Sequence, residues 1–282
     1  MKPRPFKFHN PLTLQQAREV AAENEDDFMF YAGGTEAVIG LKERVLFASH
    51  VINLKRIPNL AGIKHEDGAL HIGPLVTHQQ LADSALVQRL LPGYAALSNN
   101  VANIRVRSAG TLAGNLCFAE PNADPPPMLA ALDARVVLSS GDGEREVPVR
   151  EFFEGEYSTV REDHEIMTAI VIPVDEEKCK SAYRKMVYLN RPSAGVAAVR
   201  IQEMDGPRWE VWAGSITGKP ERLDGLCEGL AGKEDMDESV LIEAARQDLV
   251  GIEIMDGLYG TADYRKQLVA VLAARSVKEC LQ

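Results

Sequence analysis

Two glycine-bearing segments of the chain carry residues that could bind a phosphate-containing ligand. The first segment is Ala32-Gly33-Gly34-Thr35-Glu36, which lies between a predicted strand and a predicted helix. Glycine lets a backbone approach a ligand closely, and the amides at a helix N-terminus favour negative charge. The segment matches neither G-x-x-x-x-G-K-[ST] nor G-x-G-x-x-G, so an NTPase P-loop is excluded and the common dinucleotide fingerprint is missing. Taken alone, the segment is a weak signal, and a tight strand-to-helix turn is the favoured interpretation.

The second segment is Gly110-Thr111-Leu112-Ala113-Gly114-Asn115, which again offers small residues, backbone amides and two polar side chains. Asp124 follows it and stands directly before Pro125-Pro126-Pro127. A carboxylate fixed by a prolyl turn can accept hydrogen bonds from a sugar hydroxyl, although an Asp at this place also commonly caps a helix. Two separate backbone cradles favour a dinucleotide, because a pyrophosphate needs donors from more than one side.

The elements that must position the first cradle form a regular α/β pattern. Thr13 and Gln16 have the spacing of a capping box and predict a helix to about residue 23. The apolar run 28–32 predicts a strand, residues 36–43 a second helix and residues 51–54 a second strand. Thr77 and Gln80 form a second capping box further along the chain. This order predicts an α/β unit around the first cradle.

The rest of the chain predicts a further mixed region and then a small α+β region. The expected elements are an irregular stretch over 101–114, a helix from the prolines to Leu132, a hairpin of 135–138 and 146–149, and a strand over 165–172. A polar run at 174–180 marks a boundary. Beyond it we expect strands at 181–188, 195–203 and 208–216, a helix at 238–249, and a closing helix after Thr261 whose apolar face carries Tyr264, Leu268, Val271, Leu272 and Arg275.

Composition narrows the classes of partner. The 282 residues include 31 Lys plus Arg and 41 Asp plus Glu, which gives a net charge of −10. Because no basic block interrupts this acidic chain, nucleic acid is not an expected partner. No apolar run approaches the roughly 18 residues needed for a membrane span, and no secretory signal is visible, so we expect a cytoplasmic location. The four cysteines, at 117, 179, 227 and 280, contain no C-x-x-C pair, and no metal site is predicted.

The two cradles and their surroundings resemble the FAD-binding (medium) subunit of molybdenum hydroxylases, the family of xanthine dehydrogenase and aerobic carbon monoxide dehydrogenase. The similarity rests on Tyr31 to Glu36, on Gly110 to Asn115, and on Pro121-x-x-Asp124-x-Pro126. It continues weakly through 53–60 and the closing Thr261-Ala262-Asp263-Tyr264-Arg265. The resemblance implies an α+β (α/β) fold: a two-part FAD-binding domain of the vanillyl-alcohol-oxidase (PCMH) type over 1–175, with subdomains of about 1–57 and 58–175. A small C-terminal α+β domain with a three-stranded antiparallel sheet and helices would follow over 176–282.

The resemblance also implies a set of FAD-binding residues. The first cradle would wrap one side of the pyrophosphate and the second cradle the other side, while Asp124 would bind a sugar hydroxyl. Val101 and Met167 would lie near the flavin or adenine end, and Lys185 near the flavin ring. The implied residues are Phe30, Tyr31, Ala32, Gly33, Gly34, Thr35, Glu36, Ala37, Val101, Ser108, Thr111, Ala113, Gly114, Asn115, Asp124, Met167 and Lys185.

The chain departs from the family pattern at three places. Ser108 stands where the family often has Asn, and Ala113 where it often has Gly. The run Tyr188-Leu189-Asn190-Arg191-Pro192-Ser193 replaces the usual paired arginines and Asp-aromatic step. Tyr183 and Tyr188 are candidates for contact with the flavin ring, but packing within a strand is the favoured interpretation of each.

The function implied is electron relay in a multi-subunit oxidoreductase, with FAD as the cofactor of this chain. Molybdopterin would lie on a large partner subunit and two [2Fe-2S] clusters on a small one, in a dimer of heterotrimers. Electrons would pass to an external acceptor, which could be NAD, O2 or a quinone. Relay requires no catalytic acid or base, and Lys185 could tune the flavin by its charge. Two alternatives stay open: a free-standing flavin-dependent oxidoreductase with its own organic substrate, and a binding or assembly protein without flavin.

Overall fold

The structure, a computed structural model, describes residues 2–25, 27–175, 178–189, 191–233 and 236–282. Its first part is a three-stranded parallel sheet with the order β1-β3-β2. The elements are β1 (Lys7–His9), α1 (Leu14–Ala22), β2 (Phe28–Tyr31), α2 (Ala37–Glu43) and β3 (His50–Asn53), followed by a 3-10 turn at Leu54–Arg56.

The predicted start of α1 is confirmed in its main feature. The Thr13 hydroxyl accepts a hydrogen bond from the Gln16 amide at 3.1 Å. The Gln16 side chain accepts from the Leu12 amide at 2.8 Å, so the return bond of the predicted capping box is displaced by one residue. In the second box, Thr77 and Gln80 bond each other in both directions. Strand β1, which the sequence analysis did not predict, pairs with β3 and closes this sheet.

The second part is an antiparallel five-stranded sheet with the order β4-β5-β10-β6-β7, covered by short helices. Its core includes Tyr94, Leu112 and Met128, all fully buried. The elements are β4 (Ile63–Glu66), β5 (Ala69–Ile72), α3 (His78–Asp83), α4 (Ala85–Leu90), α5 (Pro92–Asn99), α6 (Ile104–Ala109), α7 (Leu112–Phe118), α8 (Pro125–Ala131), β6 (Arg135–Ser139), β7 (Glu144–Pro148), α9 (Val149–Phe152), β8 (Phe153–Gly155), β9 (Ser158–Thr159) and β10 (Ile166–Pro173).

The expectation of an irregular stretch over 101–114 was wrong. Helix α6 and the start of α7 occupy it. The Asn103 side chain accepts hydrogen bonds from the amides of Arg105 and Val106 and so begins α6. Thr111 begins α7 in the same way, with its hydroxyl accepting from the Gly114 amide. Both caps are visible in the sequence, but each helix is too short to show an apolar stripe.

The last part is an antiparallel sheet with helices against it. The three predicted strands are present, and a two-residue strand extends the sheet to the order β11-β12-β13-β14. The elements are β11 (Cys179–Tyr188), β12 (Arg191–Glu203), β13 (Gly206–Gly214), β14 (Glu221–Arg222), α10 (Asp224–Leu230), α11 (Glu238–Asp248), a 3-10 turn at Leu249–Gly251 and α12 (Ala262–Glu279). Residues 176 and 177 of the predicted boundary run lie outside the described residues, as does Asn190 of the departure from the family pattern.

The buried face of α12 differs from the predicted one. Tyr264 is 48% exposed and Arg275 is exposed, whereas Leu272 is buried as expected. The remaining buried residues of the helix are Arg265, Val269, Ala270, Ala273, Ala274, Ser276 and Val277. Small residues let α12 lie close to the sheet: the Ser276 hydroxyl donates to the Val196 carbonyl of β12 at 3.2 Å. Within the described ranges, every helix is too short or too polar to cross a membrane.

Candidate functional site

The two glycine-bearing segments face each other in direct contact. A Cβ built on Gly33 would lie 2.4 Å from the Ala109 carbonyl oxygen, 2.8 Å from the Gly110 Cα and 2.9 Å from the Thr111 nitrogen. A Cβ on Gly110 would in turn lie 3.3 Å from the Thr35 hydroxyl oxygen. No side chain fits between the segments, so glycine is required at Gly33 for the backbones to approach this closely.

The elements around each segment explain its position. The first segment leaves β2, takes a positive φ of 76° at Gly34 and enters α2. The second is anchored to the start of α3, because the His78 amide donates to the Gly110 carbonyl at 3.1 Å and the Leu112 amide to the Val76 carbonyl at 3.0 Å. The first segment therefore follows a strand of the parallel sheet, and the second lies between α6 and α7 in the helical region that covers the antiparallel sheet.

A cavity of about 760 Å³ opens where the segments meet. Its volume lies within the roughly 300–1,000 Å³ that is usual for small-molecule and cofactor sites. Every residue of the predicted set except Ser108 lines it: Phe30, Tyr31, Ala32, Gly33, Gly34, Thr35, Glu36, Ala37, Val101, Thr111, Ala113, Gly114, Asn115, Asp124, Met167 and Lys185. Ser108 lies on α6 with an exposed side chain and is not brought to the cavity.

The cavity lining fits a polar, phosphate-bearing cofactor. The glycine cradle would be filled by any Cβ at Gly33. The Asn115 Oδ1 and His78 Nδ1 atoms are buried and have no hydrogen-bond partner within the protein. Buried polar atoms are normally satisfied, so these two positions are suited to a ligand. Burial and the nearby Arg107 lower the pKa of His78 to about 4, which keeps its imidazole neutral near pH 7.

Asp124 is tied to the C-terminal sheet across the cavity wall. It is 5% exposed, and although it occupies the cap position of α8 its side chain makes no capping bond. Its Oδ1 accepts from the Tyr183 hydroxyl at 2.9 Å, and its Oδ2 accepts from the Lys185 ammonium at 2.7 Å. Lys185 also donates to the Asn100 carbonyl at 2.8 Å. The side chain of Tyr183 is thus packed within the protein, in line with the favoured interpretation.

One rim of the cavity is a loop braced by arginines that the sequence analysis missed. Glu165 is buried and accepts from Arg145 at 2.6 and 2.8 Å, and these hydrogen bonds hold the pKa of its carboxyl below its usual value. Arg161 folds back onto the backbone carbonyls of Glu162, Asp163 and Glu165. Arg161, Asp163 and Glu165 all line the cavity. No local sequence pattern indicated these contacts, since Arg145 comes from the neighbouring strand β7.

A second cavity of about 670 Å³ adjoins the first. Glu120, Asn122 and Arg191 line both cavities. Arg191 forms an ion pair with Glu120, and Asn122 donates to the Pro192 carbonyl at 2.8 Å. Burial raises the pKa of Glu120, although Arg191 acts in the opposite direction. A charged pair therefore stands between the two cavities.

The remaining wall of the second cavity combines tyrosines, carboxylates and a buried arginine. Arg265 spans three backbone segments, donating to the carbonyls of Ser193, Met255 and Ser215. Tyr157 and Tyr259 also line the cavity. Among the described residues, no group of three or more His, Cys, Asp or Glu could hold a metal ion.

Paired glycine cradles around one cavity, with a buried carboxylate and a lysine in its wall, fit a cofactor that contains a pyrophosphate. The sequence model described as "FAD binding domain in molybdopterin dehydrogenase" matches residues 4–175. The chain belongs to this family, and its cofactor is FAD.

Individual relatives agree over the full length. The chain is 28% identical over 281 residues to the carbon monoxide dehydrogenase medium chain of Hydrogenophaga pseudoflava, covering 98% of this chain and 97% of the relative. It superposes on a solved carbon monoxide dehydrogenase chain from that organism with a TM-score of 0.93, at 26% identity and with 99% and 98% of the two chains covered. A chain of quinoline 2-oxidoreductase from Pseudomonas putida 86 also gives a TM-score of 0.93, at 25% identity over 100% and 99%.

Proposed function

We propose that this chain is the medium subunit of a molybdenum hydroxylase, which takes electrons from a partner [2Fe-2S] subunit and passes them to an external acceptor. The observation that carries the proposal is the contact of Gly33 with Gly110 and Thr111 at the mouth of one cavity. FAD would supply the redox chemistry, because a flavin takes up and releases electrons singly or in pairs. The residues of this chain would bind and orient it.

The proposed roles follow from the placement of the lining residues. Backbone amides of the first cradle, from Gly33 to Ala37, would donate to the pyrophosphate from one side. The second cradle, from Thr111 to Asn115, would bind the other side with the Ala113 amide as a donor, because the amides of Leu112, Gly114 and Asn115 already donate within the protein. The Asn115 Oδ1, which has no partner within the protein, would accept a hydrogen bond from the cofactor. Asp124 would accept a hydrogen bond from a sugar hydroxyl, since a carboxylate has lone pairs beyond those used by Tyr183 and Lys185.

Lys185 would hold positive charge beside the flavin, and Val101 and Met167 would exclude water from the ends of the cofactor. Both apolar residues line the cavity and are buried, at 6% and 2% exposure. A charge placed in such a dry wall acts more strongly than it would in water. Ser108 has no proposed role, because its side chain points away from the cavity lining.

The assembly we propose follows the names of the relatives. The carbon monoxide and glyceraldehyde dehydrogenase relatives are medium chains, and that of Eubacterium barkeri is a nicotinate dehydrogenase FAD-subunit. By analogy, this chain would join a large molybdopterin subunit and a small iron–sulfur subunit as a dimer of heterotrimers in the cytoplasm. Residues 1–175 would form the FAD-binding domain, with subdomains meeting near residue 57, and 176–282 the C-terminal domain.

The external acceptor would approach through the second cavity. The second cavity shares three lining residues with the first: Glu120, Asn122 and Arg191. A molecule in the second cavity would therefore lie next to the cofactor, which supports this placement. NAD, O2 and quinones are the acceptors to be compared.

The proposal is tested by purification from native cells and by cofactor binding to the isolated chain. We expect the isolated chain to bind FAD with an absorbance band near ~450 nm and to co-purify with a molybdopterin and an iron–sulfur subunit. It should not turn over an organic substrate without them. Turnover by the isolated chain would instead identify a free-standing oxidoreductase, and failure to bind FAD would identify a binding or assembly protein.

A further inference from the structure

Tyr183 and Gly195 lie diagonally across from one another on neighbouring strands. Strand β11 pairs with β12 in the register Lys185 with Gly195 and Tyr183 with Ala197. The phenol of Tyr183 crosses this pair, because a Cβ built on Gly195 would lie 2.2 Å from its oxygen and 2.9 Å from its Cζ. Any larger residue at Gly195 would therefore displace the ring. The absence of a side chain there creates the space through which Tyr183 reaches Asp124.

As a result of this placement, both carboxylate oxygens of Asp124 accept a hydrogen bond from the protein. Tyr183 donates to one oxygen of Asp124 and Lys185 to the other, and both donors come from β11. The side chains of Asp124 and Lys185 are only 6% and 9% exposed, so little water is present to replace either bond. With one oxygen held by each donor, the rotation of the carboxylate is fixed relative to the cavity that Asp124 lines.

We propose that Tyr183, seated against Gly195, is a positioning residue that keeps Asp124 oriented and ionised as the hydrogen-bond acceptor for a hydroxyl of FAD. The inference rests on the proposed function and adds two residues that the family resemblance does not place among the cofactor ligands. Neither Tyr183 nor Gly195 is among the residues that line the first cavity. They act through Asp124 alone.

The electrostatics of the site agree with this role. Burial raises the pKa of Asp124, while the Lys185 charge and the Tyr183 hydrogen bond oppose that rise. Both groups that lower the pKa of Asp124, Lys185 and Tyr183, come from β11. Burial and the Asp124 carboxylate raise the pKa of Tyr183 well above its ordinary value, so its hydroxyl stays protonated and donates. Without that donor, less opposes the effect of burial, and the pKa of Asp124 rises further. Protonation gives the carboxyl an O–H donor and weakens it as a hydrogen-bond acceptor.

The test measures FAD affinity as a function of pH by fluorescence titration of the isolated full-length chain. In Tyr183→Phe, we expect the dissociation constant to rise roughly tenfold at pH 7, as for the loss of a hydrogen bond to a charged group. The pH below which affinity falls should move upward by about one unit, because Asp124 protonates more easily. Gly195→Ala should produce the same two changes by displacing the ring, while leaving Tyr183 and Asp124 chemically intact.

Matched controls separate this role from general damage to the protein. Tyr264→Phe alters a tyrosine of α12 that is 48% exposed and lines neither cavity, and Gly229→Ala alters a glycine with open space around its Cβ position. Both should keep the wild-type affinity and pH profile. In an Asp124→Asn background, Tyr183→Phe should no longer move the pH profile, since the titrating group is gone.

Two results would overturn the inference. One is a wild-type FAD affinity and pH profile in Tyr183→Phe, and the other is an equal loss in the Tyr264→Phe control. Thermal unfolding of each variant is followed in parallel. If Gly195→Ala does not fold, Tyr183→Phe decides alone, because it keeps the apolar ring in place. The proposed function fails differently, in that the wild-type chain would then bind no FAD at any pH.

Discussion

Gly33 packs against Gly110 so closely that a Cβ on the first would lie 2.8 Å from the Cα of the second. One glycine follows a strand of the parallel sheet, and the other precedes a helix of the antiparallel region. Their contact joins two remote parts of the chain into one binding surface. The cavity, its polar lining and the proposed pyrophosphate site all depend on this single approach.

Gly33→Ala should weaken FAD binding strongly. The new methyl group would meet the Ala109 carbonyl oxygen at 2.4 Å, and backbone atoms there have little freedom to move. Overpacking of this kind costs about 1–3 kcal/mol, which corresponds to a loss of affinity of roughly fivefold to 150-fold if it falls on the bound state. Isothermal titration with FAD measures it. Gly141→Ala is the matched control, because nothing lies within 4 Å of its Cβ position. A wild-type dissociation constant in Gly33→Ala would refute the proposed cradle.

Lys185→Met should lower the midpoint potential of the bound flavin. A cation stabilises the anionic reduced form, so its removal favours oxidation. We expect a decrease of at least about 30 mV, which corresponds to about 1.4 kcal/mol for a two-electron couple. Spectroelectrochemical titration measures the potential. Lys180→Met, which removes an exposed lysine of the same strand, should leave it unchanged, and Lys185→Arg should largely preserve it.

The same substitution carries a cost in stability that serves as a second check. Asp124 would remain buried without its cationic partner, and breaking such a pair costs about 3–5 kcal/mol. The double variant Asp124→Asn and Lys185→Met should recover much of this loss of stability, because no unpaired charge then remains buried at this place. Urea unfolding of the single and double variants measures the difference. An unchanged potential in Lys185→Met would remove the tuning role even if the stability falls as expected.

Patterns of residues close together in the sequence predicted the first cradle well, but they predicted little of the cavity wall. The run from Phe28 to Ala32 and the glycines after it follow from periodicity and turn chemistry, which act over a few residues. The contact of Gly33 with Gly110 depends on the tertiary structure. The sequence indicated it only indirectly, through the need of a pyrophosphate for donors from more than one side and through the family resemblance. The bonds from Tyr183 and Lys185 to Asp124 depend on a strand register that no local pattern sets.

In the C-terminal helix α12, the hydrophobicity pattern did not identify all of the buried residues. The face of α12 named from the sequence is only partly buried: Leu272 is buried but Tyr264 is exposed, while Arg265, outside that face, is only 9% exposed. Alanine and serine make up four of the eight buried residues of the helix, and a hydrophobicity pattern underweights such small residues. Arg265 is buried because three backbone carbonyls accept its hydrogen bonds, and such partners leave no trace in a sequence.

Acidification should loosen the cavity rim through Glu165. Arg145 holds the pKa of this carboxyl below its usual value, so the ionised form is favoured by folding. The resulting stability is fully present above the unfolded pKa of about 4.3 and is lost as pH falls through the lower folded value. Glu165→Gln should therefore be less stable than wild type near neutrality and should lose less stability below about pH 5. Thermal unfolding across this range measures both.

The control for this experiment is Glu151→Gln, because Glu151 is an exposed carboxylate on α9. It should keep the wild-type pH dependence. FAD affinity of Glu165→Gln should also fall, since Arg161, Asp163 and Glu165 line the cavity together. If wild type and Glu165→Gln lose the same stability on acidification, the ion pair between Glu165 and Arg145 does not stabilise the rim.

Arg191→Gln should affect the acceptor more than the cofactor. Arg191 and Glu120 pair in the wall between the two cavities, and the substitution leaves Glu120 without its cation. If the acceptor enters through the second cavity, its KM should change by roughly tenfold, as for the loss of a charged hydrogen bond, while the FAD dissociation constant changes much less. Rapid-reaction measurements of reoxidation by NAD, O2 and a soluble quinone, each in the whole complex, identify which acceptor responds. Arg208→Gln, on the outer surface of β13, is the control. If reoxidation by every acceptor matches wild type, the second cavity is not the route.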